Sequence, residues 1–250
     1  NVLYKGIQSP LNNSVREIDL VVVRENTEGE YTDVGGNVYD STSEEISIQT
    51  AVFTRRGTER IIRYAFELAR KRESKHQVTS VTKSNAIRHS MTFWDRVFLE
   101  VAMEYPDITI KSMLVDAASM DLVRSPESFD VIVASNLFGD ILSDIAAQVT
   151  GSMGLAPSGN INPEKKFPSS FEPVHGSAPD IAGKGIANPM AAILSTAMMC
   201  DHIGEIQAAA KIRKAVEDIL AKGHPLTPDL GGHASTIQVG DEIARLVKLN

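Results

Sequence analysis

Apolar residues along this chain switch repeatedly between strand-like and helix-like spacing. Ile18 to Val23 is a short apolar run rich in Val, and it stops at Arg24-Glu25-Asn26-Thr27-Glu28-Gly29-Glu30-Tyr31. A β-branched run that ends abruptly in polar groups predicts a buried strand delivering side chains to a site. Gly35-Gly36 predicts a turn, and Ile46 to Thr54 alternates as a strand does. From Thr58 to Lys71, Ile61, Ile62, Ala65, Phe66, Leu68 and Ala69 recur at helical spacing. Basic residues gather toward the end of that stretch, where the helix macrodipole favours them. Further strands are predicted over 78–81, 108–115 and 131–134, with helices over 91–105 and 140–149. These strands run into Thr82-Lys83-Ser84-Asn85, Asp116 and Ser135-Asn136. Alternating strands and helices indicate an α/β layer structure, which places ligands at the carboxyl ends of its strands.

Residues 151–190 break the pattern, with six Gly and six Pro. A long irregular stretch that still carries Glu172-Pro173-Val174-His175-Gly176 reads as a functional loop. Asn188-Pro189 is a good helix opening, and helices follow to Ile203, from Glu205 to Lys222, and near Asp241 to Lys248. Gly204 and Gly223 stop the first two.

Composition narrows the class. With 250 residues, 42% hydrophobic and 23% charged, the chain can build two cored lobes, which excludes disorder, collagen and coiled coil. A net charge of −7 argues against a nucleic-acid or anionic-membrane surface, since either needs a basic field. The single cysteine, Cys200, has no internal disulfide partner and fits a small buried hydrophobe in a reducing compartment. No apolar run approaches the ~18 residues of a membrane span, and no leader is visible. The expected location is the cytoplasm, with an organellar matrix as the alternative. Asn12-Asn13-Ser14 matches a glycosylation triplet of a kind that arises by chance.

Three groups of residues point to chemistry. Asp140 and Asp144 are four apart and share a helix face among apolar neighbours, where like charges repel. Two such carboxylates suit Mg²⁺ or Mn²⁺, with Asp116 as a third oxygen donor; a solvated acidic edge is the alternative on spacing alone. The rigid stretch Glu172 to Asp180 allows close backbone approach to a ligand, and Asp180 suits ribose hydroxyls while repelling a 2′-phosphate. By local sequence a structural turn fits it as well. Arg24 offers a fork for a carboxylate, and Tyr31 and Lys83 can act as acid and base. Taken singly, they read more readily as a salt bridge, a packing residue and a surface charge. The chain has no nucleophile elbow, Walker loop, zinc-protease helix, zinc cysteine set or Gly-x-Gly-x-x-Gly fingerprint.

Three blocks, Val23 to Tyr31, Asn136-Leu137-Phe138-Gly139-Asp140-Ile141-Leu142-Ser143-Asp144 and Phe171 to Gly183, together resemble the β-decarboxylating dehydrogenases of the isocitrate/isopropylmalate dehydrogenase family. Thr82 to His89, Met91 to Asp95 and Thr227-Pro228-Asp229-Leu230-Gly231-Gly232 look most like its tartrate dehydrogenase/D-malate dehydrogenase branch. The resemblance implies the family's α/β two-lobe fold, truncated at the amino terminus. Residues 1–150 would form the central substrate, metal and dimerisation lobe, and 151–250 the second half of the NAD-binding lobe. The family's Gly-Asp-Gly-Ile-Gly-Pro-Glu segment and its arginine-bearing helix are absent, roughly a hundred residues, a domain-sized piece.

The resemblance also implies roles. Arg24 would bind the substrate carboxylate, Tyr31 would protonate the enol, and Lys83 from a partner subunit would assist deprotonation of the hydroxyl. Asp140 and Asp144, with Asp116 from the partner, would hold Mg²⁺ or Mn²⁺. Glu172, His175, Gly176, Ser177, Ala178, Pro179, Asp180, Ile181 and Asn188 would cradle the dinucleotide. Relatives using NADP carry Lys-Tyr where this chain has Asp180-Ile181, which favours NAD. The implied activity is oxidation, with possible decarboxylation, of a small 2-hydroxy acid such as tartrate or D-malate by a homodimer with shared active sites. The alternatives are a catalytically silent dimerisation subunit, or the same chemistry on isocitrate or 3-isopropylmalate.

Overall fold

Four of the five predicted strands pair into one parallel sheet. In the computed structural model, which describes residues 1–11, 17–72 and 74–249, these are β1 (Val21–Arg24), β4 (Gln77–Thr82), β5 (Thr109–Leu114) and β6 (Val131–Ala134), in the order β1-β6-β4-β5. The Asn12-Asn13-Ser14 triplet lies outside the described residues. Register is set by Arg24 opposite Ala134, Ser80 opposite Val133 and Thr82 opposite Leu114. The polar ends of the strands therefore line one edge of the sheet.

The chain divides into two units, residues 20–143 and residues 1–19 together with 144–250. The sheet belongs to the first. Helices α1 (Arg55–Arg72) and α2 (Arg88–Ala102) cover one of its faces. Ile62, Ala65, Phe66 and Ala69 of α1 pack with Trp94, Val97, Phe98 and Val101 of α2 onto Val23, Val78, Val131 and Val133. Trp94 is fully buried and donates its indole N–H to Ser80 Oγ at 3.0 Å, so its one polar group is satisfied. Thr54 caps α1 by accepting from the Gly57 N–H at 3.0 Å. Two short elements escaped the sequence reading. Gly35-Gly36 begins a strand, β2 (Gly35–Val38), which pairs antiparallel with β3 (Ile46–Gln49); α3 (Val115–Arg124) follows β5 without a break.

In the second unit, Val2 bridges Asp19, the Ser9 hydroxyl bonds the Val149 carbonyl at 2.6 Å, and Ile7 fills the space beside Gly151. The last two contacts put residues 1–19 with the C-terminal part rather than in the 1–150 lobe that the family resemblance implied. Helix α4 (Asn136–Val149) spans the junction and starts four residues earlier than its apolar pattern suggested. The Gly- and Pro-rich stretch contains a hairpin, β7 (Pro157–Asn160) and β8 (Ser170–Pro173), packed against α5 (Met190–Ile203). Helices α6 (Ile206–Lys222) and α7 (Thr236–Leu249) complete it. Cys200 is only half-buried on α5. Among the described residues, no helix is long and apolar enough to cross a membrane.

A belt of ion pairs runs over the outer face of the first unit: Arg63 holds Glu59 and Glu104, and Arg70 holds Asp107 at 2.5 Å. Hydrogen bonds from these guanidinium groups keep Glu59, Glu104 and Asp107 below the usual carboxylate range. Carboxylates with lowered folded-state pKa stabilise fully above the ordinary range, and that contribution is lost as pH falls through the lowered values. The expected result is a Tm that drops between about pH 5 and pH 3, with the pH 7 value reduced by molar salt. Thermal unfolding followed by circular dichroism checks this, and a Tm indifferent to both variables would remove the belt from the account.

Candidate active site

At the carboxyl edge of the sheet, Arg24 closes β1 and Asn136 opens α4, directly after the neighbouring strand β6. Asn136 Oδ1 accepts from Arg24 Nε at 3.0 Å and from Nη2 at 2.8 Å. Arg24 Nη1 makes an ion pair with Asp140. The arginine stem lies across the first turn of α4 at Gly139, where a Cβ would come within 2.6 Å of Arg24 Cγ. Glycine is therefore required at that crossing. The loop after β1 returns to the same place. Gly29, at φ +102, bonds Val52 in both directions, and Glu30 accepts from Ser135 Oγ at 2.6 Å and the Leu137 N–H at 3.1 Å. A carboxylate on those groups satisfies the start of α4 and suits its positive end.

Tyr31 donates its hydroxyl to Asp140 Oδ2 at 3.3 Å, and the Arg24 guanidinium stands 5.7 Å from its ring centre. Partial desolvation of the hydroxyl raises the phenol pKa, although the side chain is 53% exposed. The charge and hydrogen bond of Asp140 push it the same way, while Arg24 opposes them. A cation, a carboxylate and a phenol thus meet in one cluster, each from a block read in the sequence.

Lys83 and Asp116 follow β4 and β5 on the same edge, and Lys83 Nζ donates to Asp116 Oδ1 at 2.5 Å. That bond, and backbone hydrogen bonding in the first turn of α3, hold Asp116 below the usual carboxylate range. Strand β6 separates β1 from β4, so Arg24 and Lys83 sit two strand spacings apart, on the order of 10 Å along the sheet.

Asp144 is exposed one turn beyond Asp140 on α4. Two accessible carboxylates at that spacing have the donor chemistry for a hard divalent ion, Mg²⁺ or Mn²⁺. Among the described residues, no three His, Cys, Asp or Glu side chains of this chain converge on a metal position.

The cofactor candidates lie in the second unit. Glu172 is on β8, where its carboxylate accepts from Asn160 Nδ2 at 3.0 Å. Gly176, Ser177, Ala178, Pro179 and Asp180 are exposed, and His175 and Ile181 half-buried. Nothing lies within 4 Å of the Cβ position of Gly176, and Ala178 takes a left-handed φ of +43 as the chain turns to the Ile181 N–H. An open backbone with an exposed acid fits a dinucleotide ribose. Asn188 departs from this set. It is buried, its Oδ1 accepts from the Met190 N–H at 3.0 Å, and its Nδ2 donates to Asp229 at 3.0 Å. Asp229 also accepts from Ser152 and Thr227, a network the sequence reading did not identify.

Comparison with known proteins places this geometry. A family model described as isocitrate/isopropylmalate dehydrogenase matches residues 2–243. A probable tartrate dehydrogenase/decarboxylase of Bacillus subtilis (strain 168) is 55% identical over 98% of this chain and 68% of its own length. The decarboxylating D-malate dehydrogenase of Escherichia coli (strain K12) is 51% identical over 98% of this chain and 69% of its own. Among solved structures, an isocitrate dehydrogenase from Methylococcus capsulatus superposes with a TM-score of 0.91 at 43% identity, over 99% of this chain and 71% of that one. The chain belongs to the isocitrate/isopropylmalate dehydrogenase family.

Proposed function

We propose that this chain oxidises a small 2-hydroxy acid, D-malate or tartrate, with NAD and a divalent metal, and that decarboxylation accompanies oxidation where a β-carboxylate is present. The observation that carries this is the cluster of Arg24, Asp140 and Tyr31 at the edge of the parallel sheet. The names of the two bacterial relatives support the substrate class. When bound, the metal supplies Lewis acidity at the substrate oxygens and NAD the hydride acceptor.

The side chains supply the rest. Arg24 anchors a substrate carboxylate with its guanidinium. Lys83 assists deprotonation of the C2 hydroxyl as hydride leaves C2 for the nicotinamide. Loss of CO₂ from the neighbouring carbon leaves its electron pair on that carbon as an enol, and Tyr31 returns a proton there. The exposed carboxylate of Asp180 favours the free ribose hydroxyl of NAD over the 2′-phosphate of NADP. The assay is NADH absorbance with D-malate, tartrate, isocitrate and 3-isopropylmalate, each with NAD or NADP. The reading predicts turnover on the first two with NAD, and turnover confined to isocitrate or isopropylmalate would replace the substrate class.

The active form is a homodimer in which Lys83 and Asp116 of the partner subunit complete the site around Arg24 and Asp140. Supporting this, Lys83 and Arg24 leave different strands. The hairpin β2–β3 exposes Val38, Tyr39, Ile46 and Ile48, and Met120 and Val123 of α3 are exposed as well. A two-stranded hairpin with an apolar, uncovered face is marginal in water without a partner. Complementation tests the sharing. Inactive Arg24→Ala and Lys83→Ala chains, co-expressed, form mixed dimers with one intact site, restoring about a quarter of wild-type activity. No restoration would mean that each chain builds its own site.

A further inference from the structure

The Arg24 guanidinium is held on two sides, by Asn136 at its Nε/Nη2 edge and by Asp140 at Nη1, which leaves one hydrogen on each terminal nitrogen for a ligand. Asn136 Oδ1 takes the Nε and Nη2 hydrogens together, at 3.0 and 2.8 Å. The amide cannot serve equally well when flipped, because its Nδ2 donates to the Glu28 carbonyl at 3.1 Å. Asn136 is 5% exposed, so water does not compete freely for these bonds. The residue is itself fixed by its place at the start of α4, which Glu30 anchors through Ser135 and the Leu137 N–H. Gly139 seats the stem of the arginine and Asn136 seats its head.

We infer that Asn136 is a positioning residue: it fixes the guanidinium of Arg24 at its Nε/Nη2 edge, so that a substrate carboxylate meets the remaining hydrogens already ordered beside Asp140. An arginine carries large rotamer entropy, and a ligand that must order it binds more weakly than one that meets it already ordered. The amide is suited to this task. An aspartate at the same place would set a second carboxylate beside Asp140 against the one arginine and repel an incoming anion, whereas a neutral oxygen acceptor orients the guanidinium without adding charge. The inference rests on the reading that Arg24 binds the substrate carboxylate.

A double-mutant cycle tests it on the 250-residue chain: wild type, Asn136→Ala, Arg24→Ala and the double variant. Two readouts are taken, the KM for D-malate and the calorimetric Kd for oxalate, a dicarboxylate that is not oxidised, each with Mg²⁺ present. Asn136→Ala alone is expected to weaken both about ten-fold, the loss of hydrogen bonding to a charged group, with the KM for NAD unchanged. In the Arg24→Ala background, where turnover is lost, only the oxalate Kd is read, and Asn136→Ala is expected to leave it unchanged. Equal losses in both backgrounds, or no loss in either, would overturn the inference, because a merely structural asparagine acts whether or not Arg24 is present. Asn136→Ser, with less volume removed, serves in the same cycle if the alanine variant does not fold. Oxalate separates the two levels. Non-additive oxalate binding without D-malate turnover keeps the positioning role and rejects the proposed reaction. Additive effects with turnover do the reverse, and neither binding nor turnover rejects both.

Discussion

Asp140→Asn is expected to lower kcat/KM for the hydroxy acid by about 10³-fold, because it removes several kcal/mol of charge stabilisation at the reacting oxygens. The change is nearly isosteric. The side chain of Asp140 is 42% exposed, an amide oxygen can still accept from Arg24, and the amide N–H can donate to the Tyr31 hydroxyl oxygen, so the fold should be kept. What disappears is the negative charge that, on the proposed reading, would hold the metal. Three readouts should move together. The Mn²⁺ concentration needed for half-maximal rate rises, the residual rate stays low at saturating metal, and the far-ultraviolet dichroism is unchanged. Wild-type activity in a well-folded Asp140→Asn protein would place the metal elsewhere, or nowhere.

Trp94→Ala is the largest expected change in stability. The indole is fully buried between α1, α2 and the sheet, in edge contact with Phe53 at 6.5 Å. Its removal leaves a cavity and an unpartnered Ser80 hydroxyl. Buried Trp to Ala substitutions cost about 3–5 kcal/mol, a large part of the roughly 5–15 kcal/mol that holds an ordinary domain together. Trp94→Phe keeps most of the ring volume and loses the bond to Ser80, and should cost about 1 kcal/mol of hydrogen bonding plus a smaller cavity. Urea unfolding should be followed by dichroism, since Trp94 is the chain's only tryptophan and its fluorescence vanishes with it. Equal midpoints for wild type and Trp94→Ala would mean that this layer does not hold the first unit together.

The parts of the fold that could be read in the sequence are those whose burial is continuous. Val131 to Ala134 is apolar at every position because both faces of a central parallel strand are covered, and it was read with its observed ends. Ile62, Phe66 and Ala69 announced α1 through spacing alone. The hairpin of β7 and β8 was not legible, since Pro157, Gly159 and Pro173 carry no strand preference and pairing across the loop supplies the structure. Gly35-Gly36 misled for the converse reason: glycine favours turns locally, yet here it pairs with Ile48 and Gln49. Helix α3 follows β5 directly, without a breaker to mark its start.

The site divides along the same line. Arg24, Tyr31 and Asp140 stood out by residue type and by the family blocks that hold them, and they do meet. Asn136 sits inside one of those blocks, but its role needs the adjacency of β1 and β6, which no local pattern encodes. Asn188 shows the opposite case. It was read both as a helix opening and, by resemblance, as a cofactor contact; its amide does bond the first N–H of α5, and its bond to Asp229, far along the chain, had no local signal.

The claim that this chain is a metal-dependent hydroxy-acid dehydrogenase is tested most directly by one measurement: NADH formation from D-malate and NAD by the purified chain, before and after a chelator, and again with Mn²⁺ restored. The account predicts turnover that the chelator abolishes and Mn²⁺ returns. Turnover indifferent to the chelator would contradict the metal role of Asp140 and Asp144, and no NADH from a folded sample under any condition would leave a catalytically silent subunit in place of an enzyme.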